Sequence, residues 1–187
     1  KVFSHYLTQN YRNSYNMFAT SGILFNHESP LRGEEFVTRK IVINLIKVLK
    51  KEINFFELGN IYAKRDWGYA KEYVEAMWKM LQRKKPKDYV ISTGKTHSIK
   101  EFINIATKYL NMNVKWTGKG LSEKLINKDD NKIIIQINPK FFRPSEVNIL
   151  IGDPSQAKKD LGWKPKVNLS KLIKIMINEE IKYYKKL

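Results

Sequence analysis

The sequence predicts an α/β fold. Short apolar runs bounded by turn residues alternate along the chain with longer stretches whose apolar positions recur three and four apart. At the clearest of these alternations, the run Gly22 to Phe25 stops at Asn26, a Pro and a Gly break the backbone, and a helical period resumes at Phe36. The segment Leu24 to Lys40, LFNHESPLRGEEFVTRK, crowds Asn26, His27, Glu28, Ser29, Arg32, Arg39 and Lys40 into a strand end, a loop and one helical turn. Open α/β sheets place ligand contacts at such strand ends. A solvated loop with ordinary turn residues has the same composition, and both readings stand at this level.

Residues 1 to 15 place Val2, Tyr6, Tyr11 and Tyr15 at roughly helical spacing, and a buried strand is expected over Met17 to Phe25. A second helix, about Glu35 to Lys50, aligns Phe36, Val37, Ile41, Leu45, Val48 and Leu49, with Lys40 at the edge of the stripe. Lys40 can reach back over the loop or lie along the surface. Asn54 to Leu58 reads as a short strand closed by Gly59. The next helix aligns Trp67, Ala70, Tyr73, Val74, Met77, Trp78 and Leu81, a stripe expected in the core. Asp66 is placed to cap that helix, and Arg65 to point outward as an anion contact or a surface Arg.

Tyr89 to Ser92 is a brief strand. Ser98 and Glu101 form a Ser-x-x-Glu capping box for a helix from about 98 to 110. Val114 to Trp116 reads as a further strand, Thr117 to Asn131 as a polar segment, and Asp129-Asp130-Asn131 as a turn into the strand Ile133 to Ile137. That turn lacks the Gly and the terminal Glu of a calcium loop. Phe141 to Glu146, FFRPSE, joins aromatics to Arg143. Asp153-Pro154 then opens a short helix as N-cap and first helical residue, ending at Gly162. The last helix, about Leu169 to Tyr184, aligns Leu172, Ile173, Met176, Ile177 and Ile181.

The 187 residues suffice for one full core and parts of two domains. The absence of Cys excludes disulfides and thiolate metal sites, and a reducing cytosol is the simpler compartment. No apolar run approaches the ~20 residues of a membrane span. A net charge of +17 suggests a polyanionic partner. Only six of the 35 basic residues are Arg, however, and the Lys are spread through a chain also rich in Ile and Asn, as biased base composition in the source genome also produces. A basic nucleic-acid-binding module is therefore kept only as an alternative. His5, His27 and His97 lack metal-site spacing, and there is no G-x-S-x-G, P-loop or G-x-G-x-x-G. What remains is a set of anion-binding groups at element ends, Arg32, Lys40, Arg65 and Arg143, about the number that two phosphates require.

The segments LFNHESPLRGEEFVTRK, GNIYAKRDWGYAKEYVEAMW, DYVISTGKTHSIKEF and FFRPSEVNILIGDPSQAKKDLGWKPKV, in this order, resemble the GDP-mannose 4,6-dehydratase family of extended short-chain dehydrogenase/reductase enzymes. NHESP with AKRDWGYAKEYVEAMW is specific to the dehydratase, whereas the GD-x-S-x-A-x-x-x-LGW-x-P ending is shared by many relatives, including the epimerases and reductases that form the same-fold alternative. The resemblance implies the C-terminal part of a Rossmann-type doubly wound parallel sheet plus a smaller α/β substrate-binding domain. Residues 1–26 and 67–93 would belong to the dinucleotide-binding domain, and 27–66 and 94–187 to the substrate domain.

The resemblance also implies an internal redox reaction with NADP. Hydride leaves carbon 4 of GDP-mannose, the resulting ketone acidifies the proton on carbon 5, a Glu removes it, water leaves from carbon 6, and hydride returns there. Lys1 falls where the catalytic Lys of Tyr-x-x-x-Lys belongs, with the Tyr four positions earlier, so the chain reads as a C-terminal portion expected to be inactive alone. His27 and Arg32, with Lys1, match cofactor-binding positions, and the family's usual Arg before Arg32 is Leu31 here. Asn26, Lys40, Arg65, Arg143 and Glu146 match positions that bind the GDP moiety. The expected protein is a cytoplasmic homo-oligomer, with no metal, nucleic acid or membrane partner.

Overall fold

The computed structural model describes residues 1–142 and 145–184. They form two compact units, the first built from Lys1–His27, Asp66–Thr96 and Ile151–Asn168, the second from Glu28–Arg65, His97–Leu150 and Leu169 onward. In chain order the elements are α1 (Val2–Tyr15), β1 (Gly22–Leu24), β2 (Asn26–Glu28), α2 (Val37–Leu49), β3 (Phe56–Leu58), β4 (Lys64–Arg65), β5 (Trp67–Tyr69), α3 (Ala70–Leu81), β6 (Tyr89–Ile91), β7 (His97–Ser98), α4 (Ile99–Tyr109), β8 (Val114–Thr117), β9 (Lys124–Asn127), β10 (Ile133–Ile137), α5 (Ser155–Leu161) and α6 (Leu169–Tyr184). No described helix is long and apolar enough to cross a membrane.

In the first unit β1 and β6 pair in parallel, Gly22 opposite Tyr89 and Leu24 opposite Ile91. The core joins Tyr73, Ala76 and Met80 of α3 to Tyr89 and Ile91 of β6, Ala157 and Leu161 of α5, and Trp163. Ile151–Asn168 belongs here, rather than continuing the second unit, because α3 holds it twice over. Trp163 Nε1 donates to the Glu72 carbonyl at 2.8 Å, and the Glu72 carboxylate accepts the Lys166 and Val167 amides at 3.0 and 3.3 Å. Backbone N–H groups that no ladder uses are satisfied by this side chain.

Several expectations are corrected here. Only Gly22–Leu24 of the run Met17 to Phe25 is strand, and none of its residues is buried; Ser21 and Phe25 flank it with single backbone bonds to Tyr89 and Ile91. Helix α1 is present but buries no residue. Trp67 lies on β5, before the helix, and Val74, Trp78 and Leu81 are exposed, Trp78 by 62%. Apolar spacing gives the direction of the stripe but not its centre, which falls on Tyr73, Ala76 and Met80. Helix α5 begins one residue later than expected: Pro154 is the N-cap, its carbonyl accepting the Lys158 amide at 2.9 Å, and Asp153 Oδ1 accepts the Ser155 amide at 2.9 Å. Gly162 ends α5 at a φ of 58°, a left-handed position suited to Gly.

The second unit carries a four-stranded sheet in the order β3-β10-β9-β8, with β3 parallel to β10 and the other pairs antiparallel. Strand β9 lies inside the segment expected to be a polar connection; with only Leu125 and Ile126 apolar it gives no alternating signal, yet Leu125 is fully buried. Helix α6 lies against α2 and α4. Their buried faces supply Ile41, Val42, Leu45 and Ile46, Phe102, Ile103 and Ala106, and Leu172, Ile173, Met176 and Ile177. Phe36 and Leu49, expected on the α2 stripe, are exposed. Arg39 pairs with Glu180 at 2.7 Å, joining α2 to α6 through two mostly buried charges. The Ser98 cap of α4 is as expected, Oγ accepting the Glu101 amide at 3.0 Å, while the Glu101 carboxylate turns instead to His97 Nδ1 at 2.8 Å.

Candidate functional site

In the first unit, His27 follows the end of β1 by three residues. Its Nδ1 lies 2.9 Å from the Phe25 carbonyl. A carbonyl only accepts, so Nδ1 carries the proton and donates, and in the neutral ring Nε2 is the acceptor. The ring stacks on Tyr73 at 5.2 Å between centroids, and Tyr73 meets Trp163 edge-on at 5.8 Å. Gly68 makes this stack possible, since a Cβ there would overlap the Tyr73 ring. Asn26 is half-buried, and Lys1 is exposed just ahead of α1.

Asp66 does not cap α3. The N-cap is Tyr69, without a side-chain bond. Asp66 is instead fully buried, 0% exposed, and its Oδ1 accepts the Thr93 amide at 2.8 Å and Thr93 Oγ1 at 2.6 Å. Its Oδ2 accepts the Gly94 amide at 2.9 Å and the Gly152 amide at 3.4 Å. A buried carboxylate is tolerated when donors surround it, and here they come from two distant segments.

In the second unit Glu28, 2% exposed, accepts Thr38 Oγ1 at 2.5 Å and faces Arg32 Nε at 3.3 Å. The Arg32 guanidinium lies 3.5 Å over the Phe36 ring. One edge of Arg32 is thus turned inward beside Glu28. Leu31, where the resemblance leads one to expect a second Arg, is 93% exposed. Lys40 Nζ donates to the Glu57 carbonyl at 2.9 Å and stands 4.6 Å over the Phe141 ring. Arg65 donates to the Lys64 and Val147 carbonyls at 2.9 and 2.6 Å and pairs with the Glu146 carboxylate.

The structure therefore joins Arg65 to Glu146 as an ion pair and sets Lys40 beside Phe141. Arg143, two residues beyond Phe141, lies outside the described residues. Arg65, expected to point outward as an anion contact or a surface Arg, is oriented by three acceptors, and Glu146 offsets part of its charge. Sequence reasoning did not find Glu57, Gln136 and Asn138. The Glu57 carboxylate accepts the Gln136 and Asn138 side-chain amides, each at 2.7 Å. These bonds, first Asn138 and then Gln136, aided by Lys40 and Lys140, hold its carboxyl below the ordinary range against a smaller opposing effect of desolvation.

The family model for GDP-mannose 4,6 dehydratase matches residues 1–176. The chain belongs to the GDP-mannose 4,6-dehydratase family. It is 49% identical over 186 residues to GDP-mannose 4,6 dehydratase of Drosophila melanogaster, an alignment covering 100% of this chain and 47% of that protein. With the human GDP-mannose 4,6 dehydratase it shares 44% identity over 181 residues, 97% of this chain and 49% of the relative. The chain thus spans about half the length of the curated relatives it matches. Among solved structures, RMD from Pseudomonas aeruginosa complexed with NADPH superposes with a TM-score of 0.78 at 15% identity, covering 97% of this chain and 54% of that one. At that identity the likeness bears on fold, and it agrees with the Rossmann-type α/β architecture expected from the sequence.

Proposed function

We propose that the full-length protein is a GDP-mannose 4,6-dehydratase, converting GDP-mannose to GDP-4-keto-6-deoxymannose with NADP, the first step toward GDP-fucose. The match of the family model over residues 1–176 carries this reading. The working enzyme is a cytoplasmic homo-oligomer.

NADP, when bound, accepts hydride from carbon 4 of the sugar and returns it to carbon 6. The residues present suit such an anionic ligand. Arg32 offers its guanidinium to a phosphate while Glu28 and Phe36 hold its plane. His27 Nε2 offers a single directed polar atom because Nδ1 is committed to Phe25. Lys1 acts by charge, its ammonium favouring the ionised phenol of the partnering tyrosine, which takes the proton of the 4-hydroxyl.

Asn26, Lys40, Arg65, Arg143 and Glu146 bind the GDP moiety. Lys40 supplies a point charge and Arg65 an oriented fork for phosphate oxygens. Glu146 keeps that fork in place and accepts from a ribose hydroxyl or a polar base edge. The test is Arg65→Ala in the full-length enzyme, expected to weaken GDP-mannose binding by about tenfold or more with NADP affinity little changed, as loss of a charge-assisted bond implies. Unchanged affinity for GDP would remove Arg65 from the site.

A further inference from the structure

Glu57 occupies the middle of β3, directly across from Gln136 on β10. Its two carboxylate oxygens each accept one amide, Gln136 Nε2 and Asn138 Nδ2, both at 2.7 Å. An ionised carboxylate only accepts, so Asn138 must turn its NH2 toward Glu57. Its Oδ1 is thereby turned the other way, where it accepts the Lys140 amide at 2.9 Å and caps the short 3-10 turn Pro139–Phe141. The Asn138 backbone is held as well, its amide donating to the Leu58 carbonyl at 2.8 Å and its carbonyl accepting the Phe141 amide at 3.1 Å.

The turn aims Phe141 at two neighbours. Its carbonyl approaches Gly59 so closely that a Cβ there would lie 2.5 Å away. Its ring lies 4.6 Å below Lys40 Nζ, which donates at 2.9 Å to the carbonyl of Glu57 itself. One carboxylate, one amide and one turn therefore connect β3 to the Phe141 ring beneath Lys40.

We infer that Glu57 and Asn138 are positioning residues for nucleoside-diphosphate binding: the Glu57 carboxylate selects the one orientation of the Asn138 amide that caps the turn, and the turn sets Phe141 under Lys40. The inference rests on the proposal that Lys40 holds the GDP moiety. It assigns neither residue a contact with substrate.

The test is binding of GDP and, separately, of NADP to the full-length enzyme by titration calorimetry. Asn138→Asp keeps a side-chain oxygen for the cap but sets a second carboxylate against Glu57. It is expected to raise the GDP Kd about tenfold and leave the NADP Kd within about twofold. In the double variant E57Q/N138D the amide and carboxylate exchange places: the introduced glutamine donates its NH2 to the introduced carboxylate, and its oxygen accepts from Gln136. GDP affinity is expected to return to within about threefold of wild type, as a double-mutant cycle requires of a directly coupled pair. A merely structural role would not show this rescue or the selectivity for GDP over NADP.

Glu57→Leu serves as an independent variant if Asn138→Asp does not fold: it removes the acceptor without adding charge, with a GDP-selective loss of the same order expected. The inference is overturned if Asn138→Asp or Glu57→Leu binds GDP as wild type does, if GDP and NADP affinities fall together, or if the double variant is no better than Asn138→Asp. If wild-type enzyme binds NADP but not GDP, the functional proposal fails first and the inference with it.

Discussion

The nearly buried Glu28 carboxylate accepts Thr38 Oγ1 at 2.5 Å and stands 3.3 Å from Arg32 Nε, an ion pair without a hydrogen bond, while the guanidinium face lies over Phe36. The arrangement restrains the plane of Arg32. Glu28→Gln keeps the size of the side chain and removes the charge. NADP affinity, followed by quenching of protein fluorescence, is expected to fall about tenfold while GDP affinity stays within error, the scale of a weakened charge-assisted contact.

Gly68 leaves the space that the Tyr73 ring fills beneath His27. A methyl group in that space forces Tyr73 off its position, and Tyr73 sits in the core with Trp163. Gly68→Ala is expected to lower stability by about 1–3 kcal/mol, the usual cost of overpacking a core, read by thermal or urea unfolding of the full-length protein.

Asp66 ties Thr93, Gly94 and Gly152 to the start of β5. Asp66→Asn offers one acceptor oxygen where the carboxylate offers two, and its NH2 faces a backbone N–H. A loss of about 1–3 kcal/mol follows from leaving a buried donor unpaired, and hydrogen exchange at the Gly94 amide should rise with it.

Arg12 grips both oxygens of Asp88 at 2.9 Å, and the Ser21 amide adds a bond at 2.7 Å. Burial alone would push the Asp88 carboxyl up; the Arg12 pair and the Ser21 amide outweigh it, and the net direction is down. A carboxyl lowered on folding contributes stability that is present above its unfolded pKa, about 3.9, and lost as pH falls through the folded value. Asp88→Asn is therefore expected to lower Tm at pH 7 and to flatten the decline of Tm below about pH 4, relative to wild type.

What the sequence made legible was local. The Ser98 cap lies three residues from its donor, and α6 spans the limits its apolar spacing predicts because that spacing repeats over a helix of 16 residues. The NHESP and RDW segments identified the family because those residue types stand in a fixed order. What escaped was either weakly patterned or remote. Strand β9 presents only two apolar residues, and Asp66, read as a cap from its position before a helix, finds its partners 27 and more residues away. The bond between Glu57 and Asn138 spans 81 residues, and no periodicity within either strand announces it. Pairing of this kind becomes visible only once β3 and β10 lie side by side.

The proposed dehydratase activity is tested most directly with GDP-mannose carrying deuterium at carbon 4, incubated with the full-length enzyme and a catalytic amount of NADP. The expected result is GDP-4-keto-6-deoxymannose bearing the deuterium at carbon 6, formed in large excess over the NADP supplied and without accumulation of NADPH. A product that retains oxygen at carbon 6, or turnover that stops after one equivalent of NADP is reduced, would contradict it.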